Sequence, residues 1–596
     1  MTDAVSTVPV PADPAISVAA TGLTGEFHAL GVLDWADLHP ARQLAWLYKE
    51  PDERVQLAAA LAVRALRAGS VCLELDRVRG GVTGRDDEVV EVPDELWPDP
   101  EAWLAGLRAS PLVAHGLDGD PTLPLRLVDH KLYLTRYWEQ EEQVRRSLQQ
   151  RTLTGPRVVE TPTRLATWLD ELFPPPDADP DQRRAAAQAA TSGLTVLAGG
   201  PGTGKTTTIA RILALLFRQG VQRVALAAPT GKAAARLDEA LREAAGQLPA
   251  DVAGRVGGLS ASTLHRLLGA QPYRRPAFRH NRDNPLPHDV VIVDELSMVS
   301  LTMMARLTDA LGDRTRLVLV GDPDQLSSVG AGAVLSDLTQ ADWRGTGGAS
   351  PVVRLRRNYR FTGVLGELAE AVRSGDADRV LGLATAGHPN LTLTSPDDPQ
   401  DDLRARIVRV GRAIHAAAER GDAAEALELL DQHRLLCAHR HGPHGATTWA
   451  RQAEFWLRAS VAGFGAEGEW YAGRPILVTA NQPDWGLYNG DTGVVLTGTG
   501  RPLVHFAGGA ARPLSPELLG PIQSVDALTV HKSQGSQFSV VSLVLPDVES
   551  PLLTRELLYT AVTRARDAVH LIGTPAALTQ AVERTARRAS GLRDRL

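Results

Sequence analysis

The stretch LAGGPGTGKTTT, residues 197–208, decides the fold. An apolar run stops at glycine. The chain then passes through Gly199, Gly200, Pro201, Gly202, Thr203 and Gly204 into Lys205, Thr206 and Thr207. This order fits GxxxxGK[ST], with an apolar strand pattern before it and a helical one after. Glycines let the backbone wrap around phosphates, and the N–H groups at the start of the helix point at them. Lys205 is expected to reach the β- and γ-phosphates of a nucleotide, and the Thr206 hydroxyl to hold Mg²⁺. Many kinds of molecular machine use such a loop, so the neighbouring segments must decide what the energy does.

Outward from the loop, LTVLAG, RVALAAP, DVVIVDE and RLVLVGD alternate with amphipathic helical stretches. That pattern predicts a parallel sheet covered by helices, an α/β fold. VVIVDELSMV ends a strand in Asp294-Glu295. Asp294 can hold Mg²⁺ through its water shell, and Glu295 can orient or deprotonate the attacking water. Such a pair alone is usually a solvated turn; its spacing after a phosphate loop gives it weight. LVLVGDPDQLSSVGAG offers Gln325 as a γ-phosphate sensor, or else a capped loop with Asp322 and Gln325 solvated. Arg360 in LRRNYRF, and Arg564 and Arg566 in LLYTAVTRARDAV, are candidates for charge delivered to the transition state. YTAVTRAR is apolar on one side, which predicts a helix at a domain interface.

With 596 residues the chain exceeds a single core. Hydrophobic content of 43% and charged content of 22% are those of an ordinary soluble protein. Cys72 and Cys437 are too few and too far apart for a disulfide framework, which fits a reducing, cytoplasmic setting. No run of about 18 apolar residues predicts a membrane span. The net charge of -7 requires any nucleic-acid binding to use a local basic channel. Residues 1–25 are expected as a disordered tail and 26–150 as a first domain. In that domain PDERVQLAAALAVRALRAG is a helix capped by Asp52. Its Trp35, Trp46, Trp97, Trp103 and Trp138 serve either a core or an interface. Residues 151–180, with the prolines of FPPPDADPDQ, form a linker, and 181–365 is the first α/β domain. Residues 366–596 are the second, with RPILVTA and VVSLVLP as buried strands and a hairpin-like stretch beginning at the Asn489-Gly490 turn. No Asp/Glu/His cluster of nuclease type stands out.

The segments GGPGTGKTTT, APTGKAAARL, STLHRLLG, DELSM, GDPDQLSSVGAG, YRF, GLYNGDTG, LTVHKSQGSQF and LLYTAVTRAR follow the order of the superfamily 1 helicase motifs. The chain resembles the RecD branch, the alpha subunit of the exonuclease V (RecBCD) complex, over about residues 25–590. RAGSVCLELD and LYLTRYW resemble that subunit's N-terminal domain. The resemblance implies two RecA-like parallel-sheet motor domains, a small N-terminal α+β domain and a small SH3-like β insert at about 488–525. It implies an ATP-dependent 5′→3′ DNA helicase acting on single-stranded DNA at double-strand ends, with RecB-like and RecC-like partners. A stand-alone DNA or RNA helicase and a barely hydrolysing scaffold subunit are the other readings. By the same resemblance Gln182 reads adenine, and Lys205, Glu295, Gln325, Arg360 and Arg564 form the catalytic set. Thr206 and Asp294 hold the metal. Pro229, Thr230, Lys232, Thr263, His265, Asn489, Thr529, His531 and Ser533 line the single strand. His265 and His531 alone would more often be structural. Leu296 departs from the usual DEASM pattern, and HGPHGATTWARQ (441–452) departs from its segment.

Overall fold

The computed structural model describes residues 21–80, 82–83, 89–153, 161–174, 179–270, 278–343, 350–360, 363–395, 400–466, 468–498, 500–507 and 512–596. Residues 1–20 of the expected tail, Pro175 and Pro176 of the proline run and Phe361 of YRF lie outside them. The chain divides into two compact units. The first comprises residues 1–142 together with 330–332 and 588–591; the second holds the rest. No helix among the described residues is long and apolar enough to cross a membrane.

The first unit is built on the helix Glu53–Arg67. Asp52 caps it by accepting from the Arg54 N–H at 2.9 Å, and Gly69 follows its end at φ 89°. Val55, Leu57 and Leu61 on its inner face are buried with Phe27, Trp97, Trp103 and Leu107. The Phe27 and Trp97 rings meet edge to face at 4.9 Å. The helix Gly22–Ala29 already contributes Phe27 to this core, so order begins inside the expected tail. The strands are β1 (Cys72–Glu74), β2 (Val82–Thr83), β3 (Val89–Val90), β4 (Val113–His115), β5 (Leu125–Val128) and β6 (Lys131–Leu134). Four of them form a sheet in the order β1-β6-β5-β4. Trp97, Trp103 and Trp138 are buried, whereas Trp46 is 80% exposed. Residues 588–591 belong to this unit by hydrogen bonds. The Val71 N–H donates to the Ala589 carbonyl at 2.7 Å, and the buried Glu141 carboxylate accepts from the Ser590 hydroxyl at 2.9 Å.

In the second unit, β7 (Leu194–Gly199), β8 (Val224–Ala228), β9 (Ala261–Thr263), β10 (Val290–Val293), β11 (Arg316–Gly321) and β12 (Val352–Leu355) form a six-stranded sheet. Its order is β12-β7-β11-β10-β8-β9, and every pairing is parallel. β7, β10 and β11 are buried throughout, as a sheet covered on both faces demands. The helix Lys205–Arg218 buries Ile209, Ile212, Leu213 and Leu216 against it. The expected linker 151–180 holds the helix Pro162–Leu172, whose Leu169 and Leu172 join this core with Phe173. The apolar spacing of that helix is overshadowed in sequence by the prolines beyond it.

The second motor sheet contains β13 (Leu391–Thr394) and β14 (His433–Cys437). An insert then supplies β15 (Pro475–Val478), β16 (Thr492–Leu496), β17 (Leu503–Phe506) and β18 (Ile522–Ser524). The chain returns through β19 (Ala527–Thr529), β20 (Phe538–Val544) and β21 (Ala565–Ile572). The five-stranded parallel sheet runs β13-β21-β20-β14-β19. The insert is a four-stranded antiparallel sheet, β17-β16-β15-β18. The strand in RPILVTA, expected in the motor sheet, is β15 of this insert. It is buried along its whole length, so its apolar run imitates a central parallel strand. The insert therefore starts earlier than residue 488. Asn489-Gly490 turns the chain between β15 and β16, with Gly490 at φ 98°.

Candidate nucleotide cleft and strand-binding edge

The strands of both parallel sheets end in loops that carry the candidate residues, as strand ends do in α/β proteins. In the first motor sheet, β7, β11 and β10 lie side by side and deliver the phosphate loop, Gln325 and Asp294-Glu295. A cavity of about 560 Å³ gathers Lys205, Thr206, Asp294, Glu295, Gln325, Arg360 and Arg564. The residues proposed for catalysis from the sequence thus share one cleft.

The loop is held in shape from several sides. Gly202 and Gly204 adopt φ of 81° and 79°. A Cβ on Gly202 would lie 2.6 Å from the Cβ of Arg360, so only glycine fits there. Lys205 Nζ donates to the carbonyls of Gly199 and Gly200 at 2.7 and 3.0 Å. The Arg360 segment is fastened to the loop: the Tyr359 N–H donates to the Gly202 carbonyl at 2.8 Å, and Asn358 Nδ2 to the Pro201 carbonyl at 3.2 Å. Arg360 follows β12, so it belongs to the first motor sheet, and the second motor contributes Arg564 alone of the expected cations. Arg564 lies between the helix Arg555–Val562 and β21, beyond the helix end on which it was expected. It is buried, and its guanidinium donates to the carbonyls of Thr560 at 3.1 Å and Ser536 at 3.3 Å. Arg566 is exposed and does not line the cavity.

Glu295 sits at φ 53°, a left-handed backbone that non-glycine residues rarely adopt. The Asp294 carboxylate accepts from the Glu295 N–H at 2.8 Å. Burial pushes the Asp294 pKa up to about 6, with Glu295 adding to the rise and Lys205 opposing it. The Thr206 hydroxyl makes no hydrogen bond among the described residues. A hydroxyl and a carboxylate facing one cleft beside a lysine are hard oxygen donors of the kind Mg²⁺ takes. Asp322 and Gln325 are buried rather than solvated, and Gln325 Nε2 donates to Asp322 at 2.8 Å. The second motor grips the next residue: the Leu326 N–H donates to the Thr560 hydroxyl at 2.8 Å, and Gln534 Nε2 to the Leu326 carbonyl at 2.8 Å. Gln182 lies beside the loop but outside the cavity lining. Its amide donates to the Thr203 carbonyl and accepts from Arg211, both at 3.2 Å. Next to it Tyr359 donates to Asp179 at 2.9 Å. Sequence reasoning passed over Tyr359, Asp179, Arg236 and Gln537, all at or near the cleft, although Tyr359, Arg236 and Gln537 stand inside the motifs YRF, APTGKAAARL and LTVHKSQGSQF.

The strand-side candidates occupy a different part of the sheets. Thr230 and Thr263 stand at the ends of β8 and β9, the two strands of the first sheet farthest from β7, and Thr529 ends β19, an edge strand of the second sheet. Each hydroxyl caps the helix that follows. Thr230 accepts from the Ala233 N–H at 3.2 Å, Thr263 from Arg266 at 3.2 Å and Thr529 from Lys532 at 3.4 Å. Pro229 and His531 are half-buried, while His265 and Asn489 are exposed. Lys232 Nζ reaches the Gly490 carbonyl of the insert at 3.5 Å, and burial lowers its pKa to about 8. Ser533 departs from the expectation: it is wholly buried, and its hydroxyl donates to the Val530 carbonyl at 2.7 Å.

Comparisons with known proteins agree in extent and order. Residues 29–133 match the N-terminal domain of RecBCD enzyme subunit RecD, 182–331 an AAA domain, and 524–572 the UvrD-like helicase C-terminal domain. The chain is 50% identical to the RecBCD enzyme subunit RecD of Mycobacterium tuberculosis, covering 98% of each protein. It is 31% identical to that of Haemophilus influenzae, over 91% of this chain and 94% of the relative. The ATP-dependent RecD2 DNA helicase of Deinococcus radiodurans is 32% identical over 71% of this chain, but only 55% of that relative is covered. The chain belongs to the RecD family of RecBCD enzyme subunits.

Proposed function

We propose that this chain is the ATP-driven 5′→3′ DNA helicase subunit of a RecBCD-type complex that processes double-strand DNA ends. The observation that carries the reading is the single cleft in which Lys205, Thr206, Asp294, Glu295, Gln325 and Arg360 of the first motor meet Arg564 of the second. A nucleotide held there touches both motors, so gain and loss of the γ-phosphate alter the contact between them. Lys205 and the loop N–H groups bind the phosphates, Glu295 orients the attacking water, and Arg360 and Arg564 stabilise charge that grows on the γ-phosphoryl oxygens. Thr206 and Asp294 hold Mg²⁺, which neutralises phosphate charge when bound. Gln325 reports the γ-phosphate to the second motor through Asp322 and the Leu326 backbone. Thr230, Thr263, Asn489 and Thr529 offer hydroxyls, an amide and capped helix starts to a single strand, with Lys232 and His265 beside them.

The N-terminal unit serves assembly with RecB-like and RecC-like partners in the cytoplasm. The small antiparallel sheet serves as the SH3-like element that helps hold the strand. The test is co-purification from native cells, followed by unwinding of tailed duplexes. The expected result is a complex that opens a 5′-tailed duplex and depends on Lys205 of this chain. A complex in which this chain's ATPase acts only on 3′-tailed duplexes would overturn the polarity. A fully active chain without partners would favour a stand-alone helicase.

A further inference from the structure

The cleft contains a cation that the assignments above leave without work. Arg236 lines the same cavity as Lys205, Glu295, Arg360 and Arg564. It stands on the helix Gly231–Ala245, which starts at the tip of β8. β8 is the neighbour of β10, whose end carries Asp294 and Glu295. The side chain is open to solvent within the cleft and makes neither a hydrogen bond nor an ion pair with any described residue. An unpaired guanidinium carries five donors, and surface arginines normally find a carboxylate or carbonyl for some of them. Glu239 and Glu243, one and two turns further along the same helix, also line the cavity without pairing with it.

The position selects which end of a nucleotide it can meet. Gln182 and Tyr359 lie with the phosphate loop and the Arg360 segment after β12, and β12 and β8 lie on opposite sides of β7 in the sheet. Arg236 therefore approaches from the side opposite Arg360 and Gln182. Glu295 and Arg564 line the cavity with it, and its pKa is lowered, first by desolvation in the cleft and then by Arg564 and Arg566, with Asp431 and Glu295 opposing the fall. Glu295 and Arg564 are the residues placed around the water and the γ-phosphoryl group. A guanidinium among them, with no partner of its own, is complementary to a tetrahedral dianion presented at that end.

We infer that Arg236 is a further catalytic residue, contacting the γ-phosphoryl group of bound nucleotide from the β8 side while Arg360 contacts it from the β12 side. The inference rests on the nucleotide reading of this cleft. It also gives the helix Gly231–Ala245 a double role. Lys232 lies one turn earlier on the same helix and reaches the insert, so a rigid element joins the strand-side edge to the γ-phosphate.

The test compares nucleotides that differ only in that phosphate. Equilibrium binding of a non-hydrolysable ATP analogue and of ADP, both with Mg²⁺, is measured on the full chain and on Arg236→Ala and Arg236→Lys. Loss of one charge-assisted contact should weaken the analogue at least about tenfold in Arg236→Ala. ADP affinity and thermal melting should stay unchanged. Arg236→Lys should recover part of the analogue affinity, and turnover at saturating ATP should fall in the alanine variant. Equal weakening of both nucleotides, or weakening of neither, overturns the assignment while leaving the cleft a nucleotide site. Wild-type protein that binds neither nucleotide overturns the nucleotide reading itself, and Arg236 with it.

Discussion

The nucleotide cleft and the strand-side edge are built from ends of the same two parallel sheets, yet they carry their chemistry differently. In the cleft, charged side chains from segments hundreds of residues apart converge on one space: Lys205, Glu295 and Arg564 line a single cavity. At the edge, the threonines at 230, 263 and 529 turn their hydroxyls to the backbone that follows them. Phosphoryl transfer needs particular charges at particular points, so it fixes residue types. Holding a sugar–phosphate backbone needs helix starts and N–H groups, which many sequences can present. Substitutions should therefore act steeply in the cleft and gently at the edge.

The largest effect expected is at Lys205. Lys205→Gln should reduce DNA-stimulated ATP hydrolysis to background while melting stays at the wild-type temperature, because the side chain touches loop carbonyls rather than core. Comparable turnover in the variant would erase the contrast between cleft and edge. Arg564 comes next. Arg564→Ala should keep nucleotide affinity but lower kcat by about 10³-fold or more, as loss of an arginine finger does. Its guanidinium also satisfies the Thr560 and Ser536 carbonyls, so the alanine variant should melt lower as well. Arg564→Gln, which can still donate to one of those carbonyls, separates the two losses: its melting should recover and its kcat should not.

The same contrast explains what the sequence disclosed. The phosphate loop, the Asp294-Glu295 pair and the alternation of buried strands with helices were readable because period and residue type coincide there. Arg360 follows β12 within the domain expected over 181–365, whereas Arg564 sits past the end of the helix on which it was expected, since sequence shows an arginine's spacing and not where a helix stops. β15 reads in sequence as a motor strand because complete burial removes the alternation that marks an antiparallel sheet. The helix Pro162–Leu172 was hidden by its neighbouring prolines. The strand-side residues came only from resemblance. A capping threonine looks the same in any helix, and Ser533 shows how resemblance can name a position whose hydroxyl points inward.

A pH titration tests the cleft from another direction. Burial raises Asp294 and Asp322 to about 6. In the unfolded chain both ionise near pH 4, so the folded state holds extra protons between about 4 and 6. The stability these groups contribute is full below that window and is lost as pH rises through about 6. On the proposed assignment of Asp294 to the metal, Mg²⁺-dependent binding should run the other way, because a carboxylate holds a metal only when ionised. Affinity for Mg²⁺-nucleotide should fall below pH 6 by up to about tenfold per unit. Asp294→Asn should bind weakly at every pH and show a flatter profile. A wild-type profile unchanged from pH 7.5 to 5 would remove Asp294 from the metal site.

The smallest effect belongs to the edge. Thr263 accepts from the Arg266 N–H, and loss of such a cap costs about 1 kcal/mol, spread between local helix order and any ligand that uses it. Thr263→Ala should therefore weaken single-stranded DNA binding about two- to fivefold. ATPase at saturating DNA should be untouched, because Thr263 ends β9, the edge strand separated from β10 by β8. Thr263→Ser keeps the accepting oxygen and should bind as wild type does. If serine fails as alanine does, the methyl group packs against the strand and the edge reads shape. If both bind as wild type, the DNA path does not cross β9, and the edge narrows to Thr230, Lys232 and the insert turn at Asn489.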